Sequence, residues 1–432
     1  MTDKPWGFDT LQIHAGQTPD TDFGARALPI YQTTSYVFPS TEAAANRFAL
    51  TEAGPIYTRI TNPTQAVVED RIAALEGGAA GLLVSSGQAS EFYAIVNIAQ
   101  PGDEIVASPS LYGGTYNLFK VTLPQFGIKV RFVDNPDDPD AWRSLITDRT
   151  KALYGETIPN PKGDILDVET LADLAHAHDI PLIVDNTLGT PYNCRPFEHG
   201  ADIVVESATK FLGGHGTSIG GVIVEKGDFN WANGKFPLLS TPDESYNGIV
   251  FSDLGPGAYV TRIRTVLLRD IGAVISPFNA FLLAQGLETL SLRVERHLSN
   301  AKRVAEYLDK HDAVESVQYS SLVASPYYDL AQKYAPKGAG SVFTFELAGG
   351  REAGQTFIES LTLFSHLANV GDVRSLAIHP ASTTHSQMTE EELAAAGISA
   401  GTIRLSIGLE SIDDILADLD RALTAATSNR TR

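Results

Sequence analysis

Apolar runs recur through the first half of the chain, each broken by small or polar residues. Residues 81–84, 104–107, 129–133, 151–154, 181–185, 201–205 and 220–224 read as strands. Most are apolar throughout rather than alternating, so both faces of their sheet must be covered. Between them, 64–75, 91–99 and 168–178 read as helices; Val67, Val68, Ile72 and Leu75 mark the first at helical spacing, and Pro101-Gly102 stops the second. Strands alternating with helices predict an α/β domain around a mostly parallel sheet. Ligands of such a sheet bind beyond the carboxyl ends of its strands.

The remainder has a different rhythm. Residues 226–270 are irregular and aromatic, and a stretch of that length is usually functional. Ser276 caps and Pro277 opens a helix carrying Phe278, Phe281, Leu282, Leu287, Leu290 and Val294, with a break near Gly286. A second helix is expected over 299–308. Residues 342–347 and 402–407 alternate, which predicts half-buried antiparallel strands. Ser411, followed by Asp413 and Asp414, opens a final helix to about 425. Residues 1–60, rich in Thr, Pro, Gly and Ala, hold one short helix over 40–50 capped by Ser40 and read as an arm. The expected division is an arm over 1–60, a large domain over 61–275 and a smaller α+β domain over 276–432.

Composition narrows the partners. The formal charge of -20 on 432 residues opposes binding to nucleic-acid phosphates or anionic lipid. Cys194 is the single cysteine, so neither an intrachain disulfide nor a cysteine metal cluster can form. The start lacks a basic stretch followed by an apolar run, and no run approaches the ~20 residues of a membrane span. A cytoplasmic address is expected. His176 and His178 stand two apart on a predicted helix and do not face each other. His215, His379 and His385 read as structural, and no metal is expected.

The candidate chemistry lies at the strand ends. After 81–84 come Ser86, Gly87 and Gln88, small and polar residues whose backbone N–H groups suit a phosphate at a helix start. After 104–107 comes Tyr112 in a Gly-flanked loop, a position that suits stacking on a flat ring or plain packing. Glu156 and Asn160 follow 151–154. Asp185 ends an apolar strand, and a buried carboxylate needs a partner. A protonated pyridine at ~4 Å would interact with it by about 4 kcal/mol at an effective dielectric of about 20. After 201–205 come Ser207, Thr209 and Lys210. The hydroxyls suit a phosphate, and a lysine of easily lowered pKa suits an aldehyde. A phosphate cradle, a ring stacker, a pyridinium partner and an imine-forming lysine are together the needs of pyridoxal 5'-phosphate. The alternative of a different class is a non-catalytic nucleotide-binding module. It calls for G-x-G-x-x-G, which Ser85-Ser-Gly-Gln-Ala-Ser90 does not supply.

On these residues the chain resembles the Cys/Met-metabolism family of pyridoxal-phosphate enzymes. The matching motifs are Tyr57-Thr-Arg59-Ile-Thr-Asn-Pro63, Ser86-Gly-Gln88, Asp185-Asn-Thr187, Ser207-Ala-Thr-Lys210, 375–385 and 403–410, and the likeness covers nearly the whole chain. It implies an aminotransferase-like fold of type I with a smaller C-terminal α+β domain. It implies that Lys210 holds the cofactor and moves protons and that Asp185 pairs with the pyridine nitrogen. Tyr112 would stack on the ring, while Gly87, Gln88, Ser86, Ser207 and Thr209 bind phosphate and Thr187 supports the site. Tyr57 and Arg59 would reach a neighbouring subunit's cofactor and substrate in a homotetramer. Arg404, helped by Asn160 and Ser375, would take the substrate carboxylate. Bottom-up, Arg404 suits that task through its fork geometry.

Gln88, where many relatives have methionine, the segment 226–270 and Asn369-Val-Gly-Asp372 point to a branch that uses sulfide. The expected reaction is γ-replacement on O-acetyl-L-homoserine, giving L-homocysteine (or methionine from methanethiol) and acetate in methionine biosynthesis. Cystathionine formation and γ-elimination are the alternatives within the family.

Overall fold

A computed structural model describes residues 6–160, 163–383 and 399–428. Two compact units emerge. The first comprises Met1–Thr157, Asp167–Thr187 and Arg195–Leu290; the second comprises Ile158–Leu166, Leu188–Cys194 and Ser291–Arg432. The main division thus falls after Leu290 rather than at 275, and the arm groups with the first unit. The reason is packing. The Pro277–Leu287 helix lies against the Pro63–Glu76 helix, and Gln65 Nε2 donates to the Ile275 carbonyl at 2.6 Å.

The first unit is built on seven strands: β1 Ala80–Val84, β2 Glu104–Ala107, β3 Lys129–Phe132, β4 Thr150–Glu156, β5 Leu182–Asp185, β6 Ile203–Glu206 and β7 Gly221–Glu225. Their order is β1-β7-β6-β5-β4-β2-β3. β3, β2, β4, β5 and β6 pair in parallel, whereas β7 runs antiparallel to both β6 and β1. Six strands therefore send their carboxyl ends to one edge. The unbroken apolar runs are buried on both faces, as the lack of alternation requires. Ile105, Leu153, Ile183, Val204 and Ile223 have no exposed surface. Truncating one of them to alanine would cost about 2–5 kcal/mol.

The second unit carries β8 Val314–Gln318, β9 Val342–Leu347, β10 Ser365–His366, β11 Leu376–Ile378 and β12 Thr402–Ser406, in the order β10-β11-β12-β9-β8. β12 lies antiparallel between β11 and β9, with Arg404 opposite Ile378 on one side and Thr344 on the other. The expectation of half-buried strands is corrected here. Thr344, Thr402 and Ser406 are buried, as are Ile403 and Leu405 on the opposite face. Hydrogen bonding makes this tolerable: Ser406 Oγ accepts from Gly371 N–H at 3.0 Å, and Thr402 Oγ1 donates to Glu346 Oε1 at 2.6 Å.

Three further differences matter. The helix expected over 91–99 spans Gly87–Val96, because Ser86 caps it by accepting from Ala89 N–H at 3.2 Å. Within 226–270 the backbone is helical from Ala258 to Ile271, with a π-helical stretch over Ile263–Leu268. It is anchored by Tyr259, whose hydroxyl donates to the Ala94 carbonyl at 2.5 Å, and by Val260 N–H on Glu225 at 3.1 Å. Finally, the helix expected over 299–308 runs Leu290–Leu308, since the chain breaks after Leu287 and no later.

Candidate active site

The carboxyl ends of β5 and β6 are neighbours, and so are Asp185 and the turn that carries Lys210. Lys210 follows β6 in a tight turn in which its N–H donates to the Ser207 carbonyl at 3.1 Å and its carbonyl accepts from Gly214 N–H at 2.6 Å. The residue is half-buried. Thr209 braces the same turn: its hydroxyl donates to the Gly220 carbonyl at 3.2 Å and accepts from Gly220 N–H at 3.0 Å. Thr187 joins the two strand ends. Its Oγ1 accepts from Ser207 N–H at 2.8 Å, and its N–H donates to Asp185 Oδ1 at 2.7 Å.

Ser86, Gly87 and Gln88 form the start of the Gly87–Val96 helix, whose first N–H groups have no partner within the helix itself. Gly87 is required by close approach. A Cβ there would stand 2.7 Å from the Ser207 Cβ, so the helix start and the β6 turn are in contact. The Gln88 side chain is turned inward, where Nε2 donates to Glu91 Oε2 at 2.9 Å and to Thr115 Oγ1 at 3.3 Å. Its backbone N–H stays at the helix start. Tyr112 is held by its N–H, which donates to Glu156 Oε1 at 2.6 Å. Its ring is about half exposed and lies over Gly114, where a Cβ would stand 2.5 Å from it.

Tyr57 and Arg59 lie on the arm. The Arg59 guanidinium sits over the Tyr57 ring at 5.2 Å, Tyr57 is exposed, and Arg59 Nε is buried without a hydrogen-bond partner. The other three candidates belong to the second unit. Arg404 Nη2 donates to the Asn369 carbonyl at 3.3 Å. Ser375 is fully buried, donating its hydroxyl to Glu410 at 2.8 Å and accepting from Gly408 N–H at 2.9 Å. Asn160 Oδ1 is buried with no partner. Of the histidines, His379 bonds Ser382 at 2.6 Å and the Ala400 carbonyl at 2.8 Å, a structural role as expected; His385 lies outside the described residues.

A cluster of acids surrounds Asp185. Burial raises its carboxyl above the ordinary range, against hydrogen bonds from Thr187 that lower it. Glu91 is pushed well above its usual value by burial and then by the charge of Asp185. Tyr154 on β4 is raised by burial and by Glu91. Glu206 and Glu76 form a second buried pair, with burial the first cause in each and Glu76 pushed up to about 7. Glu91, Thr115 and Tyr154 were not picked out from the sequence, whereas Glu156, at the end of 151–154, was. One signal was available: Glu91 is the single charged residue in the helix sequence GQASEFYAIV.

So much buried acid calls for a cation. A protonated pyridine against Asp185 answers the call. The helix start touching Ser207 answers a phosphate, Tyr112 offers a ring face, and Lys210 offers an amine. These residues fit pyridoxal 5'-phosphate.

Similarity to known proteins agrees. The model of the Cys/Met metabolism PLP-dependent enzymes matches residues 9–424. An O-acetyl-L-homoserine sulfhydrylase of Corynebacterium glutamicum is 51% identical over 425 residues, covering 97% of each chain. Homocysteine synthase of Schizosaccharomyces pombe is 50% identical over 423 residues, covering 97% of this chain and 98% of the relative. Among solved structures, an O-acetylhomoserine (thiol)-lyase crystal structure from Campylobacter jejuni, which carries N'-pyridoxyl-lysine-5'-monophosphate, has a TM-score of 0.94. It is 43% identical and covers 97% of this chain and 100% of its own.

Proposed function

The chain belongs to the Cys/Met metabolism PLP-dependent enzyme family, and on that premise we propose that it converts O-acetyl-L-homoserine and sulfide to L-homocysteine and acetate. The geometric observation that carries the reading is the meeting of three elements at one sheet edge. Asp185 ends β5, the Ser207–Lys210 turn follows β6, and the Gly87 helix start touches that turn. The choice of donor and acceptor rests on relatives about 50% identical across nearly the whole chain, named for that chemistry.

Pyridoxal 5'-phosphate, when bound, supplies an aldehyde for an amine and a ring that holds the electrons released at the substrate's Cα. Lys210 is the amine that holds the cofactor. With substrate in place, Lys210 would take the Cα proton at Nζ and carry protons onward. Asp185 keeps the pyridine nitrogen protonated. Ser86, Gly87, Gln88, Ser207 and Thr209 take the phosphate, with Thr187 joining Asp185 to the turn. Tyr112 stacks on the ring. Arg404 binds the substrate carboxylate with Asn160 and Ser375. Acetate leaves Cγ with the C–O pair of electrons, and sulfide forms the new C–S bond there.

Tyr57 and Arg59 serve a neighbouring subunit's site in a homotetramer, a role that suits the exposed Tyr57 ring and the buried, unpartnered Nε of Arg59 on the arm. The cytoplasm is the proposed compartment; among the described residues, no helix is long and apolar enough to cross a membrane. Lys210→Ala tests the reading. The purified variant is expected to lose both the visible absorption of the bound cofactor and homocysteine formation, and retained turnover would overturn the assignment.

A further inference from the structure

A carboxylate only accepts hydrogen bonds, so a residue that binds one needs a donor to spare. Serine owns two donors, and Ser375 gives both to one side chain. Its N–H donates to Glu410 Oε1 at 2.7 Å and its hydroxyl to Glu410 Oε2 at 2.8 Å. The hydroxyl oxygen in turn accepts Gly408 N–H at 2.9 Å, and Ser375 has no exposed surface. Ser375 therefore has no donor left for a substrate carboxylate, and its help to Arg404 is indirect.

What Glu410 holds through Ser375 is the segment 369–375. That segment is laced to β12 and the residues after it. Gly371 N–H donates to Ser406 Oγ at 3.0 Å, and the Val373 carbonyl accepts from Leu409 N–H at 2.8 Å. The Asn369 carbonyl accepts from Arg404 Nη2 at 3.3 Å. The seam has no slack: a Cβ on Gly408 would stand 2.5 Å from both Ser375 N and the Val373 carbonyl oxygen. Glu410 is itself fixed from the Leu290–Leu308 helix, where Asn300 Nδ2 donates to the Gly408 and Glu410 carbonyls at 3.0 Å each.

We propose that Glu410 is a positioning residue for substrate binding. By taking both donors of Ser375 it latches segment 369–375 to the end of β12, so that the Asn369 carbonyl holds Arg404 in the orientation that receives the substrate's α-carboxylate. That role rests on the reading of Arg404 given above and specifies how Ser375 assists it. A carboxylate suits the latch because each of its two oxygens meets one donor. Glutamine would set its NH2 against one of them. Bidentate pairing of a guanidinium with a carboxylate depends on a fixed fork, so a loosened segment weakens substrate binding before it touches the cofactor.

Glu410→Gln and Ser375→Ala, each as the holoenzyme, test the latch. Both are expected to raise KM for O-acetyl-L-homoserine about tenfold, with kcat and the visible absorption of bound cofactor within about twofold of the parent. The discriminating probes are L-norleucine, which carries the α-carboxylate, and L-norleucinamide, which does not, titrated through the cofactor's absorption. Both variants are expected to weaken L-norleucine about tenfold and to leave L-norleucinamide within about twofold, whereas a general loosening of the fold would weaken the two alike. In an Arg404→Lys background, Glu410→Gln should weaken L-norleucine by less than about twofold more, since the two residues act as one. Parent-like L-norleucine binding in Glu410→Gln, equal loss of both probes, or a fully additive loss with Arg404→Lys would overturn the proposal. A loss in Ser375→Ala without one in Glu410→Gln would likewise overturn it and put Ser375 on the carboxylate itself. If Arg404→Lys bound L-norleucine as tightly as the parent, the reading of Arg404 would fall and the latch with it. A parent that bound both probes but made no homocysteine would defeat the proposed reaction alone.

Discussion

Thr187 clamps Asp185 to the next strand end: its N–H donates to Asp185 Oδ1 at 2.7 Å, and its hydroxyl oxygen accepts Ser207 N–H at 2.8 Å. One residue ties the pyridinium partner to the turn that presents Lys210. Thr187→Val keeps the shape and the backbone donor to Asp185 but deletes the hydroxyl, leaving the Ser207 N–H in the turn without its acceptor. Cofactor dissociation, measured by fluorescence titration of the apoenzyme, is expected to rise about tenfold. An unchanged constant would remove the clamp from the site.

Asp185→Asn keeps the volume and removes the charge. An ion pair of about 4 kcal/mol corresponds to about a thousandfold in rate. Steady-state kinetics should show kcat falling by about that factor, with the apoenzyme at least as resistant to heat as the parent, since a buried charge has gone. A variant within tenfold of the parent would mean that Asp185 does not face the pyridine nitrogen.

Gly87→Ala puts a methyl group 2.7 Å from the Ser207 Cβ and 3.0 Å from its Cα. Overpacking of that kind costs about 1–3 kcal/mol. The helix start must move off the β6 turn, and phosphate is gripped less well. The expected result is a lower melting temperature and a weaker cofactor complex together. Lowered stability with undiminished cofactor affinity would place the phosphate elsewhere.

Buried Glu76, pushed up to about 7 by burial, makes stability depend on pH in a stated direction. A raised carboxyl holds its proton in the folded state after the unfolded chain has released it. Its contribution to stability is therefore full below pH 4.5 and lost as pH rises to about 7. Asn186 Nδ2 donates to Glu76 Oε1 at 2.8 Å, a bond that glutamine can still accept. Glu76→Gln should melt progressively higher than the parent as pH is raised from 5 to 8 (about the window just derived). A gain that is constant across that range would show that the pair does not share a proton.

Much of the site could be read from the chain because strand ends are legible. Ile183 and Val184 are apolar without interruption, so Asp185 announces itself as the residue at the end of a covered strand. The same holds for Val204, Val205 and the Ser207–Lys210 turn. What escaped was whatever depends on contacts distant in sequence. Glu91 and Glu206 are buried acids whose neighbours Thr115 and Glu76 lie far along the chain, which no local pattern reveals. Gly113–Gln125 went unassigned because two glycines and Pro124 carry the signals of a loop, yet Thr115, Phe119 and Leu123 bury one face of a helical run. The helical backbone from Ala258 to Ile271 was hidden by Gly255-Pro-Gly257, and it forms because Tyr259 and Val260 find partners on Ala94 and Glu225. On β12, alternation correctly put Ile403 and Leu405 on one face, but it could not show that Thr402 and Ser406 are buried too.

The central claim is that sulfide replaces acetate at Cγ of O-acetyl-L-homoserine. The most direct measurement incubates the purified holoenzyme with that donor and, in separate reactions, with sulfide, with cysteine or with neither, and quantifies the products by mass spectrometry. Homocysteine from sulfide is expected to dominate by more than tenfold. Cystathionine from cysteine as the major product, or 2-oxobutyrate formed equally fast without any thiol, would contradict it.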